Sequence, residues 1–115
     1  MDQKIAMKIM NECGDLFNIL PDEKFTTWNF LIEVNNIVSQ YKGIDCLMHL
    51  NFANGGVTQC MCIITDWQPG AIAFQSDDGE LPRMRIIYPE EYISFMKEMM
   101  PILDAKYPEF PADQK

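Results

Sequence analysis

At residue 44 the hydrophobic period of this chain changes from helical to two, and that change constrains what it can fold into. Ile44, Cys46, Met48, Leu50 and Phe52 alternate with Asp45, Leu47, His49 and Asn51, the repeat a strand requires. Ala53-Asn54-Gly55-Gly56 follows, and Asn and Gly accept the positive φ that a tight hairpin turn demands. Val57 to Trp67 then reads as the return strand, Ala71 to Ser76 as a third and Arg83 to Tyr88 as a fourth. Gln68-Pro69-Gly70 and Asp77-Asp78-Gly79 supply the turns between them, since Gly, Pro and Asp suit turn backbones. Four consecutive strands on short connections pair as an antiparallel meander.

Helical periods flank this block. Ile5, Ile9, Cys13, Leu16, Phe17 and Leu20 recur at spacings of three and four, one stripe of a helix over 3–20 that Pro21 stops. Gly14 interrupts it at a cost of about 1 kcal/mol against Ala, which close packing at that point would explain. Residues 24–42 fit two templates. Trp28, Phe30, Ile32 and Val34 alternate as in a strand, whereas Phe30, Leu31, Val34, Ile37, Val38 and Tyr41 form a longer helical stripe. The helix accounts for more positions, with Thr26 or Thr27 to cap it and Gly43 to stop it. Pro89-Glu90-Glu91 opens a last helix. Its stripe is Tyr92, Phe95, Met96, Met99, Met100 and Leu103, and Pro101 breaks it near Met99.

The order α-α-β-β-β-β-α, with the helices on one face of the sheet, predicts a two-layer α+β fold. Its extent is one domain over 1–107, followed by a loose tail over 108–115 marked by Pro108 and Pro111. The longest apolar run, Cys60 to Ile64, is far short of the ~20 residues of a spanning helix. The N-terminus interleaves charge with apolar residues and shows no secretory leader, so a cytoplasmic location is expected.

Seventeen acidic against nine basic residues give a net charge of −8. Such a chain is repelled by phosphate backbones and anionic lipid, and attracted to a basic protein. Asp77, Asp78 and Glu80 form an acidic turn tip suited to contact such a partner. The four cysteines, at 13, 46, 60 and 62, contain no CxxC pair, and His49 is the sole histidine. If Phe52 pairs with Val57 and the register runs on unbroken, His49 faces Cys60 and Leu47 faces Cys62. That would gather a Cys–His dyad or a Cys-Cys-His metal trio on one face. A one-residue slip separates them, and CxC on a strand spaces its thiols by about 6.5–7 Å. Neither a catalytic role, nor a metal, nor a cofactor is therefore expected.

On simple alternation the face away from the helices carries Leu47, Cys60, Cys62, Ile64 and Ile87. An exposed antiparallel sheet should be polar there, and apolar patches of this kind mark interfaces. A homodimer through this face is expected, unless one helix crosses to cover it. A pocket between sheet and helices, lined by Trp28, Tyr41, Trp67, Tyr92 and Met99, is a further expectation.

Together these features predict a non-enzymatic, acidic protein that binds and blocks a basic protein, in the manner of an inhibitor, immunity protein, antitoxin or phage antagonist. A small-molecule-binding domain and a Cys/His-dependent enzyme are the alternatives.

Overall fold

Each stretch of period two becomes a strand, and each stripe a helix. The structure, a computed structural model, describes residues 1–19, 27–53, 56–77 and 82–103, with the side chains of 17–19 and 28 left out. The elements are α1 (Gln3–Ile19), α2 (Thr27–Val38), β1 (Asp45–Ala53), β2 (Gly56–Thr65), β3 (Ala71–Asp77), β4 (Arg83–Ile87) and α3 (Pro89–Met99). The strands form one antiparallel sheet in the order β1-β2-β3-β4. This is the α+β meander that the sequence predicts. The ambiguous second segment is helical, and α3 stops at Met99 ahead of Pro101. Gly43 adopts φ +82° in the turn after α2, a conformation L side chains rarely adopt. Leu20, Pro21, Thr26, Asn54, Gly55, Asp78, Gly79, Glu80 and the expected tail lie outside the described residues.

The helices occupy both faces of the sheet. On one face Ala6, Ile9, Cys13 and Leu16 of α1 and Phe30, Leu31, Val34 and Val38 of α2 pack on Cys46, Met48, Cys60, Cys62, Ile64, Ile72 and Phe74. Phe30 meets Phe74 edge to face at 5.5 Å. On the other face Met96 of α3 and Leu103 beyond it close over Leu47, Ile63, Ala71 and Ile87, with Tyr92, Phe95, Met99 and Met100 packed around them. The expected grouping of all helices on one face thus holds for α1 and α2, while α3 crosses and adds a third layer.

A β-bulge decides which residues reach which face. Phe52 pairs with Val57 as expected, but Asn51 pairs with Gln59, so Thr58 is the extra residue. From there the register is shifted by one: Leu50 faces Cys60, His49 faces Met61, Met48 faces Cys62 and Leu47 faces Ile63. A shift of one sends a whole set of side chains to the opposite face. Cys60, Cys62 and Ile64 therefore lie under α1 and α2, while Leu47 and Ile87 lie under α3. All five residues expected at a dimer interface are 0–1% exposed within the protein, and the patch that argued for a homodimer does not exist.

Gly14 has open space where a Cβ would sit, so the close packing expected there is absent. Gly14→Ala should raise stability by about 1 kcal/mol, read from the urea midpoint; a lower midpoint would contradict this. Ile64→Lys and Ile87→Lys each bury an unpaired ammonium, at a cost of several kcal/mol. Each should abolish the cooperative unfolding transition seen by circular dichroism. Ile93→Lys, at a position 68% exposed, should leave it intact. A folded monomer from either core substitution would reinstate a surface-exposed patch.

Candidate functional site

The short third helix leaves part of its face of the sheet open. α3 has 11 residues and is about 16 Å long, whereas the ten-residue β2 spans about 30 Å. Among the described residues, the part it leaves uncovered is a groove of about 370 Å³ between β2, β3, β4 and α3. Two rows of the sheet form its floor. One row runs Met61, Gln75, Arg83 and the other Ile63, Ala73, Arg85. Phe95 and Met99 line the groove from α3.

Arg83 and Arg85 are the only arginines in the chain, and both line this groove. Their i, i+2 spacing on β4 puts them on one face. The Arg85 guanidinium lies 5.3 Å from the centre of the Phe95 ring. It approaches Glu91 at 3.9 Å, and Arg83 approaches Asp77 at 3.9 Å. Both contacts are longer than a hydrogen bond. The two carboxylates are bonded elsewhere. Asp77 accepts from Gln59 at 2.6 Å and from Gln75 at 3.4 Å, and Glu91 accepts the Tyr88 backbone N–H at 3.1 Å. Asp77, expected as a free contact residue, is thus part of a polar ladder that continues from Gln59 to Asn51.

The aromatic residues expected in one pocket are dispersed. Tyr41 donates to Glu12 of α1 at 2.9 Å, on the α1/α2 side. Tyr92 shares a 3.2 Å hydrogen bond with Thr65 on the α3 side. Trp67 is half exposed in the β2–β3 turn, and the Trp28 side chain is among those left out. Of the four whose side chains are described, Met99 alone lines the groove. The arginine pair that replaces them had a sequence signal: two arginines, one residue apart on a strand, in a chain with no others.

A second feature stands at the end of the sheet. Trp67 has φ +64°, the one non-glycine residue with positive φ among the described residues. Its backbone N–H donates to the Thr65 hydroxyl at 3.0 Å, and its indole N–H donates to Asp45. Next to it, Asp66 accepts the Gln68 N–H at 3.1 Å and pairs with the Met1 ammonium at 3.4 Å. Gly70 closes the turn at φ +110°, with the Met1 nitrogen 3.3 Å from where a Cβ would be. Tyr88, 44% exposed, lies at this same end, because Ile87 pairs with Ala71.

The cysteines lie on the other side of the sheet. All four are free and buried, and the sulfurs of Cys46 and Cys62 approach to 2.7 Å. His49, on the groove face opposite Met61, is separated from them by the sheet itself, so neither the dyad nor the metal trio forms. Among the described residues no group of three or more His, Cys, Asp or Glu is placed to hold a metal. Burial pushes the Cys13 thiol up to about 12, and it raises those of Cys60 and Cys62 as well. Such thiols are poor nucleophiles at neutral pH. No family model, no curated protein and no solved structure matches this chain.

Raised thiol pKa values tie stability to pH. The unfolded chain releases the Cys13 proton near pH 9 and the folded one near 12. The stability this thiol contributes is therefore complete below pH 9 and lost as the pH climbs from 9 to about 12, at up to ~1.4 kcal/mol per pH unit. Urea midpoints taken under reducing conditions below and inside this window should fall, and fall less steeply in Cys13→Ala. Equal slopes for the two proteins would refute the thiol origin.

Proposed function

We propose that this chain is a non-enzymatic binding protein that docks on a basic protein and blocks it, in the manner of an inhibitor, immunity protein, antitoxin or phage antagonist. The observation that carries this reading is Trp67. It is a large aromatic, 47% exposed, held in a left-handed backbone conformation that costs on the order of 1–3 kcal/mol and flanked by Asp45 and Asp66. Tryptophan and tyrosine are the residues most enriched at interface hot spots. Carboxylates around them favour a cationic partner, and the net charge of −8 steers it inward from a distance. Asp78 and Glu80, outside the described residues, enter the proposal through their charge alone. Among the described residues no helix is long and apolar enough to cross a membrane; a cytoplasmic site of action is part of the proposal.

Trp67→Gly separates binding from folding. It relieves the positive φ while removing the indole, so the variant should unfold at a denaturant concentration close to that of the native chain. A basic partner captured from the native host and identified by mass spectrometry should bind it at least about tenfold more weakly, a loss of ~1.4 kcal/mol. Association with the unaltered chain should slow as salt rises. A partner that binds Trp67→Gly equally well, at a rate indifferent to salt, would end this reading.

The groove favours a second reading, a small-molecule-binding domain. Its volume is at the lower end for ligand sites and its floor is apolar with a few polar groups at the rim, the usual composition of such sites.

A further inference from the structure

We propose that the groove between α3 and strands β2–β4 binds a small organic monocarboxylate with an apolar, aromatic or branched body. The inference rests on the ligand-groove reading and names the class of ligand. Three observations select it.

The first is donor capacity. Each guanidinium carries five N–H donors, and the neighbouring carboxylates stand 3.9 Å away with other donors already bonded to them. Arg83 and Arg85 are 71% and 60% exposed, so the unused edges reach the groove and its solvent. A carboxylate is the group whose two oxygens match a guanidinium fork.

The second is local charge. Among the described residues, two arginines and the two carboxylates nearest them leave the rim close to neutral, inside a chain of net charge −8. A single negative charge is accommodated at such a rim. A phosphate dianion meets repulsion from Asp77 and Glu91 that the arginines only offset, so a phosphorylated ligand is disfavoured.

The third is shape. Beside the arginines the floor is Met61, Ile63 and Ala73 with Gln75 between Met61 and Arg83, and Phe95 and Met99 form the side wall. A ring or a branched chain attached to the carboxylate covers this floor. The Arg85 guanidinium already lies over the Phe95 ring at 5.3 Å, and this cation–π contact favours its position beside the groove before a ligand arrives. The methionines adapt to the outline of the body.

The test uses the full chain and three probes: hydrocinnamate, its neutral amide hydrocinnamide, and inorganic phosphate. Each is titrated at neutral pH while backbone amide and arginine side-chain resonances are followed by NMR. Hydrocinnamate should give saturable shifts at Gln75, Arg83, Arg85 and Phe95. The amide should bind about tenfold more weakly, the scale of one charge-assisted hydrogen bond. Arg83→Gln and Arg85→Gln should each weaken hydrocinnamate several-fold while keeping a dispersed native spectrum, and Lys97→Gln, on the outward side of α3, should not. Equal binding of acid and amide would overturn the carboxylate inference and leave the groove reading standing. Saturation by phosphate with none by hydrocinnamate would also overturn it. Absence of saturable shifts at the groove with every probe would remove both.

Discussion

One extra residue in β2 sets the arrangement of everything else. Thr58 has no partner in β1, and its bulge turns the rest of the strand over by one position. The bulge is held from both sides. The Thr58 hydroxyl donates to the Asn51 carbonyl at 3.3 Å, and the Thr58 carbonyl accepts from Thr27 at 3.5 Å. Ser76 of β3 donates to the same Thr27 hydroxyl at 3.4 Å. Thr27, 1% exposed at the first turn of α2, is therefore the point where the helix reads the register of the hairpin. Buried hydroxyls are costly unless bonded, so the wrong register is penalised twice, through these groups and through the apolar set it would turn outward.

With the register fixed, both faces of the central strands are apolar, and both need cover. Two helices, α1 and α2, together cover one. The other receives α3, which has the right stripe but too few turns. Its end at Met99, ahead of Pro101, limits how much of this face it covers. The groove is what remains of a sheet face that the third helix does not reach. Its polar border, Asn51, Gln59, Asp77 and Gln75, is where the face passes from core to solvent.

The elements were legible in the sequence because each is strongly periodic, and even the second helix emerged once its twelve-residue stripe was weighed against a seven-residue alternation. The bulge was not. Val57-Thr58-Gln59-Cys60 contains no glycine, its one signal is two polar residues in succession where strict alternation has one, and its irregularity is stabilised by Thr27, about thirty residues away. From that omission came the false neighbourhood of His49 and Cys60, and, together with the crossing of α3 over Leu47 and Ile87, the false dimer patch. A hint was present in Cys60-Met61-Cys62-Ile63-Ile64, since an unbroken apolar run on a strand means burial on both faces. Read so, it places a helix on each side. The dispersed aromatics failed for a related reason. Tyr41, Tyr92 and Trp67 sit at different layers, and composition cannot assign residues to layers before the register is known.

The charge of the chain acquires a layout from this architecture. Seventeen acidic residues make the long-range field negative, yet the two arginines are kept together on one strand and beside one groove. A cation placed at random on such a protein is neutralised by the nearest acid. Here the acids nearest them among the described residues are bonded to other groups, Asp77 in the glutamine ladder and Glu91 at the start of α3. The start of α3 needs that carboxylate for its own backbone, and the edge of the groove face needs the ladder to end its polar row. The same contacts that finish the fold thus leave the guanidiniums under-used. Trp67 is the counterpart at the end of the sheet, where the indole donates to Asp45 but keeps its ring in solvent. On the two proposed readings, a protein-sized cationic surface would meet the second and a single small anion the first, so the two surfaces would not compete for the same class of partner.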